Sequence, residues 1–369
     1  MDDGWWGEGS PTYHYYPLRA MLLSADAVRC RNINLYDRKL YKMLAAPASG
    51  VYADLYFPAH NDGWYGESLI AQVSLYEIAY QRYNKDPFFL SVLQQCYRYT
   101  DRNFGEALQN NIEIPQVTSM AAWPSVHFKE TGYAVLRSGT KTVVMKYGPH
   151  GGGHGHPDKL SISIHDGEKE IVSDMGTCAY GVPAFTKWYR KTLSHSTLTV
   201  DAKDQKESTG KLLAFKAYKD GGEVSAEAPD AYSGVTMERK LILKKNKLTD
   251  ILTARSDEQH LYDYVLILTE KPVFSQTGEV IILNDSPSYN YIKNAIVRKQ
   301  SSPLSCKIGK AYMKIEVPDG QEFEVITGEA PGIPPGNGSV LPKYDSPFCY
   351  PLIVRVKDKK LRIKTEWKF

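Results

Sequence analysis

The hydrophobic repeat of this chain changes period once, and that change limits what the chain can fold into. Between residues 11 and 104 apolar residues follow helical spacing. The clearest case is 67–83, where Leu69, Val73, Tyr76, Tyr80 and Tyr83 recur at intervals of four and three with no Gly or Pro between them. Ser10-Pro11 and Asp86-Pro87 each read as a capping residue followed by proline at the first helical position, where the missing N–H has no partner to lose. Beyond Pro115 the period shortens. Residues 143–147, 160–164, 196–200, 237–243 and 361–364 alternate or run β-branched, and turn signals at Asp220-Gly221-Gly222 and 244–247 separate many of these runs. A chain of 369 residues also exceeds the usual size of one core. The expectation is an α+β multidomain protein: four or so helices in residues 1–115, then a large antiparallel β-sandwich in 116–369. The boundary is expected in 105–117, where Gly105, Asn110, Asn111 and Pro115 cluster.

Composition narrows function mainly by exclusion. With 45 Lys and Arg against 42 Asp and Glu the net charge is only +3, and no basic run interleaves with aromatics, so no nucleic-acid partner is expected. No apolar stretch approaches the roughly 18 residues that span a bilayer, so no membrane insertion is expected. Cys30, Cys96, Cys178, Cys306 and Cys349 are scattered without a CxxC, which indicates neither a zinc ribbon nor a disulfide framework. Met1-Asp2-Asp3-Gly4-Trp5-Trp6 lacks the basic and apolar regions of a secretion signal. The 26 tyrosines and six tryptophans can stack on sugar faces or supply phenolic acids and bases, although most are expected in cores.

The richest chemistry lies in Gly148-Pro149-His150-Gly151-Gly152-Gly153-His154-Gly155-His156-Pro157-Asp158-Lys159-Leu160. Glycine lets this backbone fold tightly and bring imidazoles near a ligand or metal. A hairpin formed by 159–165, a turn at 166–168 and 170–173 brings Asp174 back beside His156, and His195 follows. Neutral imidazoles with an ionised carboxylate form a plausible zinc shell. Histidines bonded only to loop backbone are the plainer reading for His154, His156 and His195 taken singly. Three further segments carry candidate groups. Glu8-Gly9-Ser10-Pro11-Thr12-Tyr13-His14 puts His14 early in a helix after an aromatic, glycine-rich approach. Asn61-Asp62-Gly63-Trp64-Tyr65-Gly66 offers the Tyr65 phenol before a helix. Gly176-Thr177-Cys178-Ala179-Tyr180-Gly181 and Trp188-Tyr189-Arg190-Lys191 offer Tyr180 and a cation, Arg190, for a carboxylate.

Taken together, His154-Gly155-His156-Pro157-Asp158-Lys159-Leu160-Ser161, Asp174-Met175-Gly176-Thr177, Tyr180-Gly181 and 188–197 resemble the heparinase II/III-like polysaccharide lyases, which include heparin and heparan sulfate lyases and oligoalginate lyases. The amino-terminal Glu8–His14 motif resembles that family's helical cleft motif. The resemblance implies an (α/α) toroid followed by an antiparallel β-sandwich. Residues 1–115 are short for a complete toroid, so the expectation is a partial one, from a truncated chain or completed by another chain. It implies His156, Asp174 and His195 as ligands of one structural zinc ion, and His154, Tyr180, His14 and Tyr65 as catalytic groups. Tyr76 is the fallback for the base tyrosine. Glu8, Tyr13, Trp64 and Arg190 are expected to bind substrate, Tyr13 standing where the family often has an asparagine. The implied reaction is β-elimination on an anionic uronate polysaccharide or oligosaccharide, alginate or heparan sulfate in type, in an exo mode, by a periplasmic or secreted enzyme. The alternative is a non-catalytic, zinc-stabilised glycan-binding protein. A glycosidase would need two carboxylates about the scissile bond, and a cupin-like metal oxygenase fits the strand number and the Asp174 to His195 interval less well.

Overall fold

The computed structural model describes residues 1–99, 123–318, 320–333 and 347–369. The boundary expected at 105–117 lies outside the described residues. Before it stand α-helices Pro11–Arg29, Arg38–Ala48, Val73–Arg82 and Pro87–Cys96. Asp86 caps the last of these by accepting from Phe88 N at 2.8 Å, and Asp37 caps the second through Lys39 N and Leu40 N, each at 2.9 Å. Ser10 does not cap the first, and its buried hydroxyl has no hydrogen-bond partner. The four helices share one core through Leu18, Leu44, Tyr76 and Phe89. Among the described residues these four helices form one cluster, too few to close a ring of paired helices.

The rest is antiparallel sheet. Two long strands, Lys247–Leu268 and Phe348–Lys368, pair along most of their length, with a register shift between Arg255 and His260 that lets each serve two parts of the sheet. Before the shift Lys247–Leu268 pairs with Val235–Lys244; after it, the same strand meets Leu198–Val200 and Val172. Turns at the two expected signals join Lys211–Tyr218 to Gly221–Tyr232 and Val235–Lys244 to Lys247–Leu268. The expected hairpin also forms, Ile164 facing Val172 and His165 facing Glu170.

Burial shows how the helical part sits on the sheet. Strand Val235–Lys244 alternates buried and more exposed positions, as a strand with one covered face does. Strand Tyr133–Ser138 is buried at every residue. Its Ala134 and Leu136 face the sandwich core, whereas Tyr133 and Val135 pack with Trp5, Ala46 and Tyr52 from the helical part. On another face of the sheet, Val265, Ile267, Ile326 and Ile353 carry the loops 174–195 through Met175, Trp188, Tyr189 and Leu193. The site is therefore built where helical-part loops meet loops seated on the sheet.

Candidate active site and metal centre

Three loops converge. The His154–His156 loop depends on Gly155, where an added Cβ would stand 1.9 Å from His150 O. Gly176 starts the second loop at φ +64°, and its Cβ would lie 2.1 Å from Gly63 O, so the loop can approach 60–63 only with glycine there. The third is 60–63 itself. Asn61 donates to Glu8 O at 2.8 Å and Gly9 O at 3.1 Å, and accepts from His156 N at 3.2 Å and from Lys146 Nζ. Behind the loops, fully buried Arg239 pairs with Asp250 and donates to Leu160 O and Ser196 O, at 2.8 and 2.6 Å. It thereby ties together the strands that follow His156 and His195. Leu160 itself sits at φ +62°, a left-handed conformation costly for a γ-branched residue and held by that bond.

At the rim, Tyr13 stacks on His154 with ring centroids 3.7 Å apart, and its phenol shares a hydrogen bond with that of Tyr180. Tyr180 is 52% exposed, and its hydroxyl also lies 3.3 Å from both Asp62 Oδ2 and His154 Nδ1. Its pKa is pushed up by partial burial, then by the bond to Tyr13 and the Asp62 charge. His154 Nδ1 bonds Asp62 at 2.9 Å, leaving Nε2 4.0 Å from Glu8, whose other oxygen accepts from the Trp6 indole at 3.0 Å. Arg190 donates to Gly155 O at 2.8 Å and lies over Phe185, so its guanidinium also props the histidine loop. Trp64 is half-buried, its backbone N–H donating to Thr12 Oγ1.

Below this rim lies a buried polar cluster. Asp158, Asp174 and His195 each bring a ligand atom within 4.8 Å of the others. His156 adjoins them, its ring centroid 5.1 Å from that of His195. His156 Nδ1 and His195 Nε2 are buried without a hydrogen-bond partner, Asp174 Oδ2 and His195 Nδ1 have only each other at 3.3 Å, and Asp158 Oδ1 has only Lys159 Nζ at 3.7 Å. Polar atoms left so in a protein interior are costly, and a shared cation would satisfy them together. Burial opposes charge on Asp174 and on His195, yet each draws the other towards its ionised form, so this place favours positive charge. The donor set therefore fits a metal ion, and Asp158 joins the expected His156, Asp174 and His195. Lys146, 2.6 Å from the other Asp158 oxygen, balances the excess of acid.

Several expected residues lie elsewhere. His14 is fully buried: Nδ1 accepts from Trp6 N at 3.1 Å and Nε2 donates to Met43 O at 2.8 Å. Burial lowers its pKa to about 4, and no face of the ring is left for a substrate. Its neighbour Tyr13 takes the rim position instead, because successive helical residues point about 100° apart. Tyr65 turns from the rim to donate to buried Glu170 at 2.7 Å, and Tyr76 lies in the helical core with Tyr15 and Leu44 O. Neither phenol is directed at the rim. Asp62 and Asn61 were missed among the acting groups although their segment was noted. The available signal was Asn-Asp-Gly, residues that tolerate the left-handed turn Asn61 adopts at φ +57°.

Residues 120–265 match the family description Heparinase II/III-like, C-terminal. An alginate lyase of Stenotrophomonas maltophilia is 28% identical over 306 residues, covering 72% of this chain and 40% of that protein. An exo-oligoalginate lyase of Saccharophagus degradans is 25% identical over 309 residues, covering 72% of this chain and 41% of that protein. The chain thus spans well under half the length of these relatives. The crystal structure of a heparan sulfate lyase from Pedobacter heparinus superposes on all of this chain and 53% of its own, with TM-score 0.71 and 17% identity, a likeness of fold.

Proposed function

From the premise that this chain carries a heparinase II/III-like C-terminal domain, we propose that it is a polysaccharide lyase that cleaves uronate-containing chains by β-elimination. The observation that carries the reading is the pair of phenols, Tyr13 and Tyr180, joined by a hydrogen bond at an open rim above His154. Elimination needs a base for the weakly acidic C5 proton, positive or hydrogen-bonding groups at the uronate carboxylate, and an acid at the departing 4-oxygen. Tyr180 is the phenol held protonated, so it is assigned as the acid. Tyr13, its hydrogen-bond partner, is assigned as the base. The C5–H bond breaks to Tyr13, the electron pair forms the C4–C5 double bond, the C4–O bond breaks, and the leaving oxygen takes the Tyr180 proton. Arg190 is the group assigned to the carboxylate, and His154 Nε2, directed at the rim, is assigned to accept from a sugar hydroxyl. Tyr13 thus takes the role expected of Tyr65, and His14 is assigned the support of the segment before Tyr13.

The buried cluster is proposed to hold one zinc ion through His156, Asp158, Asp174 and His195. Bound there, the ion supplies fixed positive charge that holds the loops carrying His154 and Tyr180 in register. Exo action on alginate-type or heparan-sulfate-type oligosaccharides belongs to the same proposal, supported by what the relatives' names say of those proteins. So does a periplasmic or secreted location, where the oligosaccharides released from polymers too large to enter a cell would be met.

Ultraviolet absorbance of the unsaturated uronate, followed with alginate oligomers and heparan sulfate, tests the reading. Expected is a signal from one substrate class that Tyr13→Phe and Tyr180→Phe each lower by about 10²–10⁴-fold. Binding of these oligosaccharides by folded, zinc-loaded protein without any absorbance would replace the lyase with the glycan-binding alternative.

A further inference from the structure

We infer that Asp62 is a positioning residue shared by the metal centre and the acting rim, and that through it metal binding sets the orientation of His154. The inference rests on the assignment of His156 to the metal and of His154 to the substrate. Asp62 is almost fully buried, with Oδ1 3.0 Å from His156 Nε2 and Oδ2 2.9 Å from His154 Nδ1. An ionised carboxylate can only accept, so both imidazoles must donate to it. The two rings are thereby fixed in opposite tautomers, His156 as Nε2–H and His154 as Nδ1–H.

Each tautomer has a consequence at the far nitrogen. His156 is left with its lone pair on Nδ1, a buried atom without a hydrogen-bond partner, in a ring whose centroid lies 5.1 Å from that of His195. A carboxylate behind a metal-binding imidazole fixes the ring and raises its basicity. His154 is left with Nε2 facing the rim, on the side where Glu8 and Tyr13 lie. The Asp62 backbone is held as well, its N–H donating to His154 O at 3.1 Å. Its neighbour Asn61 is bonded to Glu8 O and Gly9 O, the segment that leads into Tyr13. A displacement of His156 on gaining or losing its metal is therefore passed through one carboxylate to His154, and through the Asn61–Asp62 turn to Tyr13.

The first measurement is read on the unaltered protein: two-bond ¹H–¹⁵N correlation on histidine-labelled, zinc-loaded protein, with the His154 and His156 signals assigned from single-histidine variants. Expected are a protonated Nδ1 on His154 and a protonated Nε2 on His156; the opposite tautomer on either ring overturns the inference. In Asp62→Asn the amide offers one acceptor oxygen to two imidazole donors, so one bond must fail. Zinc affinity, read by competition with a chromophoric chelator, is expected to fall about 10–100-fold. His154 is expected to lose its single tautomer, and kcat to fall with KM unchanged within about twofold. Asp62→Glu, which keeps the charge, is expected to recover part of the zinc affinity. Wild-type zinc affinity and an unchanged His154 tautomer in folded Asp62→Asn would overturn the inference. Affinity and tautomer are read without turnover. If both behave as expected while no substrate yields the alkene, the lyase reading alone has failed. If the alkene forms and Asp62→Asn changes neither, this inference alone has failed.

Discussion

Two places in the molecule bring tyrosines of the helical part onto titratable residues of the sandwich, and they differ in what is left open. At the rim, Tyr13 meets Tyr180 and His154, with the Tyr180 ring largely exposed and one His154 nitrogen directed outward. At the second place Tyr52 and Tyr65 donate to Glu170 at 2.5 and 2.7 Å, Ser173 adds a third donor at 2.8 Å, and His165 bonds Asp54 at 2.9 Å while stacking on Tyr52. Both use the same residue types across the same boundary. In the second, both oxygens of the carboxylate are hydrogen-bonded inside the protein, which makes it a clasp. In the first, groups capable of proton transfer reach solvent, which makes it a site. Residue type and spacing alone do not separate the two; the direction of each phenol does.

The sharpest break of this comparison is a matched pair of substitutions. Tyr13→Phe is expected to lower kcat by about 10²–10⁴-fold with little change in melting temperature. Tyr65→Phe is expected to leave kcat within about twofold and to cost roughly 1–2 kcal/mol, the worth of a buried bond to a charged or polar acceptor. Parallel rate and denaturation measurements on the two variants decide it, and the reverse pattern would restore Tyr65 as the base.

Metal removal gives the next largest effect and again separates the two places. Chelation, or Asp174→Asn, leaves the donors of His156 and His195 buried and unsatisfied, so stability is expected to fall by about 2–5 kcal/mol. Hydrogen exchange should quicken in 150–160 and 174–195 and stay slow at 52–57 and 170–172. Equal exchange at both places after zinc removal would mean that the clasp and the site are one cooperative unit.

The helix-to-sheet order, the cap at Asp86 and the hairpin at 161–172 were legible because each follows from local period, turn chemistry or a short return of the chain, whereas the meeting of Asp174 with His195 was implied only by the resemblance. What was not legible depends on rotation about a helix axis or on distant loops. His14 and Tyr13 are adjacent in sequence, and only the packing of Trp5 against Tyr133 and Phe128 decides which of them turns inward. Tyr65 and Glu170 are far apart in the chain, so no spacing rule could pair them. Asp158 read as part of a loop motif until the fold set its free oxygen beside Asp174 and His195.

The smallest effect is a pH slope that belongs to the clasp and not to the site. Burial raises the Glu170 carboxyl from 4.5 to about 7, and the hydrogen bonds from Tyr52, Tyr65 and Ser173 only partly offset it; the nearby Asp54 charge pushes the same way. Among the described residues, Tyr52, Tyr56, Tyr65, His165 and Asp54 are the titratable groups that line this cluster with Glu170. In the window from about 4.5 to 7 the folded chain holds a proton that the unfolded chain has released, so stability falls as pH rises through it. The slope is at most about 1.4 kcal/mol per pH unit, and it flattens above the folded-state value. Glu170→Gln keeps a neutral side chain of the same shape and should abolish that part of the slope, so that variant and wild type diverge steadily between pH 5 and pH 7 in urea denaturation. Identical slopes would mean that Glu170 stays ionised in the fold, and the clasp would then be an ionic contact with a cation close enough to offset its burial.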